Sequence, residues 1–90
     1  MEYQSFEFDE AKSAVNKRKH GIDFVAAQEM RVDERLLRIE ARCLEERRYV
    51  FVGVIGTKHW SAIVTYRDER IRLISVRRSR DAEVCAYESE

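Results

Sequence analysis

The main change of hydrophobic period in this chain falls near Leu36, and it limits what the chain can become. Before it, apolar residues recur at helical intervals. After it they alternate, as on a strand with one buried face. Helical spacing followed by two-residue spacing predicts an α+β fold, with the helices gathered against an antiparallel sheet. The 90 residues suffice for one domain and one core, taken here as 1–90.

Local signals sharpen the outline. Phe6-Glu7-Phe8 alternates and predicts a short first strand. Asp9 is placed to cap a helix over Glu10 to His20, since its carboxylate can accept from the first-turn amides. Ala11, Ala14, Val15 and the stem of Arg18 form the expected inward face. Lys17, Arg18, Lys19 and His20 crowd the last turn, where cations complement the helix dipole, and Gly21 ends it. Asp23 caps a second, short helix offering Phe24, Val25, Ala26, Ala27 and Met30 for burial. Then Leu37, Ile39, Ala41 and Cys43 alternate with Arg38, Glu40 and Arg42, and Glu45-Glu46-Arg47 breaks the pattern. Tyr49 to Ile55, Trp60 to Tyr66 and Ile71 to Val76 are the next strands, joined at Gly56-Thr57-Lys58 and at the polar turn Arg67-Asp68-Glu69-Arg70. Asp81 to Glu88 predicts a short C-terminal helix turning Ala82, Val84 or Cys85, and Tyr87 inward. The expected fold is two N-terminal helices on a four- or five-stranded, mainly antiparallel sheet, with that short helix last.

The 17 basic and 17 acidic side chains cancel, which disfavours a globally basic, non-specific nucleic-acid binder. The signs are nevertheless segregated. Arg67 to Arg80 holds six arginines against two acids, and Lys12 to His20 holds cations and no acid. Lys12, Asn16 and Lys19 or His20 fall on one helical stripe of donors, a pattern that suits phosphate oxygens and equally an ordinary solvated face. Simple alternation puts Arg72, Ile74, Val76 and Arg78 on one face of the last strand, and Leu73, Ser75 and Arg77 on the other. A fixed guanidinium grips phosphate bidentately. Ion pairs with Glu40, Glu45 or Glu46 are the competing account.

Other chemistries lack their residues. No apolar run is long enough to span a membrane, and Met1-Glu2-Tyr3-Gln4 lacks the basic start of a signal peptide, so a cytoplasmic protein is expected. Cys43 and Cys85 read as two reduced, partly buried thiols. No glycine-rich phosphate cradle is present, and His20 and His59 have no ligand-like spacing, so no cofactor or metal is expected. The acid pairs Asp9-Glu10, Asp33-Glu34, Glu45-Glu46 and Asp68-Glu69 read as caps and turns. Lys, Arg, His and Tyr remain, a set able to cleave RNA by activating its own 2′-hydroxyl.

The order of motifs now matters. Phe6, Phe8-Asp9-Glu10, Lys12, Asn16, Lys19-His20-Gly21, Phe24 and Ala27 resemble the opening of the BrnT toxin family, F-x-W-D-E-x-K-x-x-x-N-x-x-K-H-G-x-x-F-x-x-A, with Phe8 in place of tryptophan. Glu46, Arg48, Tyr49 and Gly53 are similar to that family's second block. Ile71 to Arg78 looks like its I-R-I-I-S-A-R-R strand, with Val76 in place of alanine. Glu83 and Tyr87-Glu88 echo its E-R-x-x-Y-E close, with Val84 in place of arginine. The resemblance implies a RelE-like fold and a ribonuclease toxin of a type II system. It also implies an RNA substrate, a BrnA-like antitoxin carrying a DNA-binding module, and room for a homodimer through their complex. By the same resemblance Lys19, His20, Arg48 and Arg77 are the catalytic candidates, with His20 as proton carrier. Lys12, Asn16, Arg72 and Arg78 would position the RNA backbone. His20, just before the helix-ending glycine, could instead cap carbonyls. Two other functions compete: an inert toxin-like module that only binds an antitoxin-like partner, and a DNA-binding regulator, for which no helix-turn-helix hallmark is present.

Overall fold

The protein, described by a computed structural model over residues 5–41 and 47–89, forms one five-stranded sheet with helices before and after it. The expectations placed on Arg42, Cys43, Glu45 and Glu46 lie outside the described residues. Strand β1 (Phe6–Glu7) leads into helix α1 (Glu10–His20). Asp9 caps that helix, accepting from the amides of Ala11 at 2.8 Å and Lys12 at 3.2 Å. Gly21 ends it at φ 82°, a left-handed conformation that other residues resist. Asp23 caps helix α2 (Phe24–Ala27) through the Ala26 amide.

The second expected helix is a single turn that runs directly into a 3-10 segment, Gln28–Val32. It buries Phe24, Ala27 and Met30, while Val25 and Ala26 stay exposed. Strands β2 (Leu37–Ala41), β3 (Arg48–Ile55), β4 (Lys58–Arg67) and β5 (Arg70–Arg78) follow, and α3 (Asp81–Glu88) closes the chain. The sheet order is β1-β5-β4-β3-β2, with β1 parallel to β5 and every other pair antiparallel.

Cross-strand register sorts the side chains by face. Phe51, Ala62 and Val76 are paired across β3, β4 and β5, as are Tyr49, Val64 and Leu73. These point toward Ile22, Phe24, Ala27 and Met30 and form the core. Burying each large member stabilises the fold by roughly 2 kcal/mol. Gly53 lets the 3-10 segment approach: a Cβ there would lie 2.8 Å from Leu36 Cδ1 and 3.3 Å from Met30 Cβ. Helix α3 lies on the opposite face, where Ser61 and Arg77 both meet its Glu83.

Two expectations fail here, for related reasons. The inward face of α1 is not apolar. Ser13 and Asn16 are buried, and Ala11, Ala14, Val15 and Arg18 are exposed. The helix docks by hydrogen bonds instead: Ser13 Oγ accepts the Phe24 amide, and the Asn16 carboxamide grips β5. Nor does β5 alternate simply. Ile63 pairs with Ser75 while Val64 pairs with Leu73, so Ile74 is an extra residue, a β-bulge. Ile71, Leu73 and Val76 therefore face the core together, and Arg72, Ser75 and Arg77 face the other way. Cys85 also departs from expectation, since its thiol is exposed.

Candidate active site

Helix α1 and the bulge of β5 enclose a groove of about 320 Å³, lined by Lys12, Val15, Lys19 and His20 from the helix and Ile74 and Ser75 from the strand. Helical spacing makes this possible: Ala11, Val15 and Lys19, like Lys12, Asn16 and His20, recur every fourth residue. The bulge turns Ser75 into the groove. The side chains of Lys12, Lys19 and His20 make no hydrogen bond or ion pair with any other described residue. His20 does not cap carbonyls of its own helix; its ring lies at the groove.

Asn16 is different. Its Nδ2 donates to the carbonyls of Ile22 and Val76, both at 2.8 Å, and its Oδ1 accepts the Val76 amide at 3.1 Å. The carboxamide thus pairs with both backbone groups of Val76, as a neighbouring strand would. Asn16 also lines the groove, but its carboxamide is engaged as the pin that sets α1 against β5. Lys19 and His20 follow one turn later on the helix, and Arg77 follows Val76 on the strand, so this pin fixes their relative placement.

Arg77 does not line the groove, but it shares a sheet face with Ser75, which does, two residues earlier and about 7 Å away along a strand. Glu83 holds it by two bonds: Nη1 to Oε1 and Nη2 to Oε2, each 2.8 Å. Both side chains are largely covered, at 19% and 16% exposure, so solvent screens this pair little. Glu83 also accepts from Ser61 Oγ and from the Arg80 amide. Chiefly because of the Arg77 bonds, and despite burial, the Glu83 carboxyl is pulled down to about 2 from the usual 4.5. The same bond raises the Arg77 guanidinium.

The remaining candidates are spread out. Arg72 shares the face of Arg77 and bonds Glu7 at 3.3 Å. Arg48 opens β3, opposite Ala41, and by alternation points to the same face. Arg78 points to the other face, paired with Trp60, with its guanidinium 5.5 Å from the Trp60 ring centroid and its Nε bonded to the His59 carbonyl. The structure does not bring Arg78 to the groove. The acid expected opposite an arginine from Glu40 goes elsewhere, to exposed Arg47 at 3.8 Å. Among the described residues no three His, Cys, Asp or Glu side chains converge as metal ligands would.

Sequence reasoning passed over two residues of this site. Ser75 falls on the face of Arg77 by alternation, but nothing in the sequence brings it against α1. Glu83 was noted only as an echo of a closing motif, although an acid at the third position of a helix is a recognisable signal.

Residues 8–83 match the model of a family described as a ribonuclease toxin, BrnT, of a type II toxin-antitoxin system. The chain belongs to the BrnT family. No match is found among curated proteins. The matched stretch includes every residue of the groove and both members of the Arg77–Glu83 pair. The three departures from the BrnT motifs noted above do not line the groove. Val76 is fully buried and points into the core, opposite to Arg77. Val84 is half-buried on α3. Phe8, in place of tryptophan, packs edge-on against Phe24 with ring centroids 5.6 Å apart.

Proposed function

We propose that this BrnT-family toxin is an endoribonuclease that works without a metal, cleaving RNA by attack of a 2′-hydroxyl on the adjacent phosphate. The supporting observation is the groove itself: Lys12, Lys19 and His20, with side chains uncommitted among the described residues, face the bulge of β5, and Ser75 in that bulge shares the sheet face of Arg77. A phosphodiester between α1 and β5 meets Lys19 and Arg77, whose charges offset the negative charge that builds on the phosphorane. His20 takes the 2′-proton or returns one to the departing 5′-oxygen, since imidazole serves either role near neutrality. Lys12 lies about 10 Å back along the helix from Lys19, at the reach of a neighbouring phosphate. Arg72 and Arg48, on the same face, guide the strand beyond. The products are a 2′,3′-cyclic phosphate and a 5′-hydroxyl. Membership in a type II toxin family supports an antitoxin partner, here a BrnA-like protein with a DNA-binding module that meets the toxin in the cytoplasm, in a complex with room for two toxin copies.

Purified protein should cut RNA in excess chelator and leave cyclic-phosphate ends. Arg77→Ala and Lys19→Ala should lower the rate at least about a hundredfold while keeping the native circular dichroism. Cleavage that requires added magnesium, or that leaves 5′-phosphate ends, rules this mechanism out. A folded wild-type protein that cuts no RNA and arrests no growth on expression would instead be an inert antitoxin-binding module.

A further inference from the structure

A guanidinium carries five N–H groups in a fixed planar fork, and those of Arg77 can be accounted for one by one. One Nη1 hydrogen goes to Glu83 Oε1 and the other to the Arg78 carbonyl at 3.3 Å. One Nη2 hydrogen goes to Glu83 Oε2. The second Nη2 hydrogen and the Nε hydrogen remain, and they lie side by side on a single edge. No described residue accepts from them. Such an edge matches two oxygens of one phosphate.

We propose that Glu83 is a positioning residue for the ribonuclease site: by occupying one edge of Arg77 it presents the Nε/Nη2 edge as a two-pronged donor to the phosphodiester in the groove. The inference rests on the reading that RNA occupies that groove. Glu83 suits the task because it is itself fixed. Ser61 Oγ donates to it at 2.8 Å, and Ser79 Oγ lies 2.7 Å from that same hydroxyl. The Arg80 amide also donates to it, which ties the carboxylate to the first turn of α3. Glu83 is poorly suited to be a general base, since both its oxygens are already held by donors. Helix α3 thus acts on the site through Arg77 and needs no contact with RNA.

The test uses a 2′-O-methyl RNA oligonucleotide, which lacks the nucleophile and stays intact. Wild type, Arg77→Ala, Glu83→Gln and the double variant are titrated with it. The Arg77 Nε–H resonance is followed in ¹⁵N-labelled protein. Glu83→Gln keeps the shape of the side chain but cannot accept from both Nη atoms. Should it fail to fold, Glu83→Asp, which withdraws the carboxylate by one methylene, takes its place. The expected result is about fivefold weaker binding for Glu83→Gln, with the double variant no weaker than Arg77→Ala alone. The Nε–H resonance should move on binding in wild type and lose that response in Glu83→Gln. Wild-type affinity in Glu83→Gln beside a weakened Arg77→Ala overturns the positioning role and leaves the ribonuclease reading intact. Losses that add in the double variant overturn it equally. An Arg77→Ala protein that binds as wild type, together with a wild-type Nε–H resonance that RNA does not move, removes Arg77 from the site and the inference with it.

Discussion

Asn16 shows how little a residue's type reveals about its task. On the helix it sits in a row with Lys12 and Lys19, and the row suggests a donor stripe. In the fold its three hydrogen bonds are buried, two of them to Val76, sixty positions away. Asn16→Asp is nearly isosteric but removes both donors and sets a carboxylate against two carbonyls. It should destabilise the protein by about 3 kcal/mol, read as a lower urea midpoint, because a buried acceptor left facing acceptors incurs the full desolvation cost. A residue whose only task was to touch phosphate would leave that midpoint unchanged. Lys19 and His20 are the converse case. Their shared stripe with Lys12 was legible from helical spacing, because side chains on one helix need no distant partner to align; the groove formed with Ile74 and Ser75 was not.

Elements follow local chemistry closely. Both helix caps, the glycine stop and the hairpins fall where the sequence puts them, since each depends on a few neighbouring residues. The β4–β5 hairpin is the strained exception. Asp68 and Glu69 both adopt positive φ, 50° and 67°, where the favoured sequence is Asn-Gly. Replacing both, as Asp68→Asn with Glu69→Gly, should raise stability by about 1 kcal/mol, seen as a higher melting temperature. The bulge at Ile74 is of another kind. Nothing between Ile71 and Arg78 marks it, because it arises from how β5 matches β4, and it reverses which residues face the groove beyond that point.

At the scale of the whole molecule, α3 is fastened at three points. Glu83 holds Arg77 and Ser61, Tyr87 Oη donates to Asp33 Oδ2 at 2.7 Å, and His59 lies 2.9 Å from Glu88. Burial works to raise the Asp33 carboxyl, but hydrogen bonds from Tyr87, Val54 and Arg35 outweigh it and leave it lowered. Glu83 is lowered to about 2. Carboxyls depressed in the folded state stabilise it fully above their unfolded values and cease to do so as they protonate. For Glu83 the contribution, on the order of 3 kcal/mol, should be present above about pH 4.5 and disappear as the pH falls toward 2. Urea unfolding measured across that window should show the decline, and Glu83→Gln should flatten it. A wild-type curve that stays level from pH 5 to 2 would contradict the strength of this clamp.

By itself the sequence determined the α+β class, the caps, the strand-rich second half and, through motifs matched in order, the BrnT membership. These depend on spacing and on short-range bonds that any stretch of chain carries with it. Tertiary structure alone decided that α1 docks by Ser13 and Asn16, that Ile74 bulges, that Arg78 turns away, and that Glu83 takes one edge of Arg77. Each of these joins residues on different elements. Only when the strands have found their register do such partners meet, and no local pattern records which partner that will be.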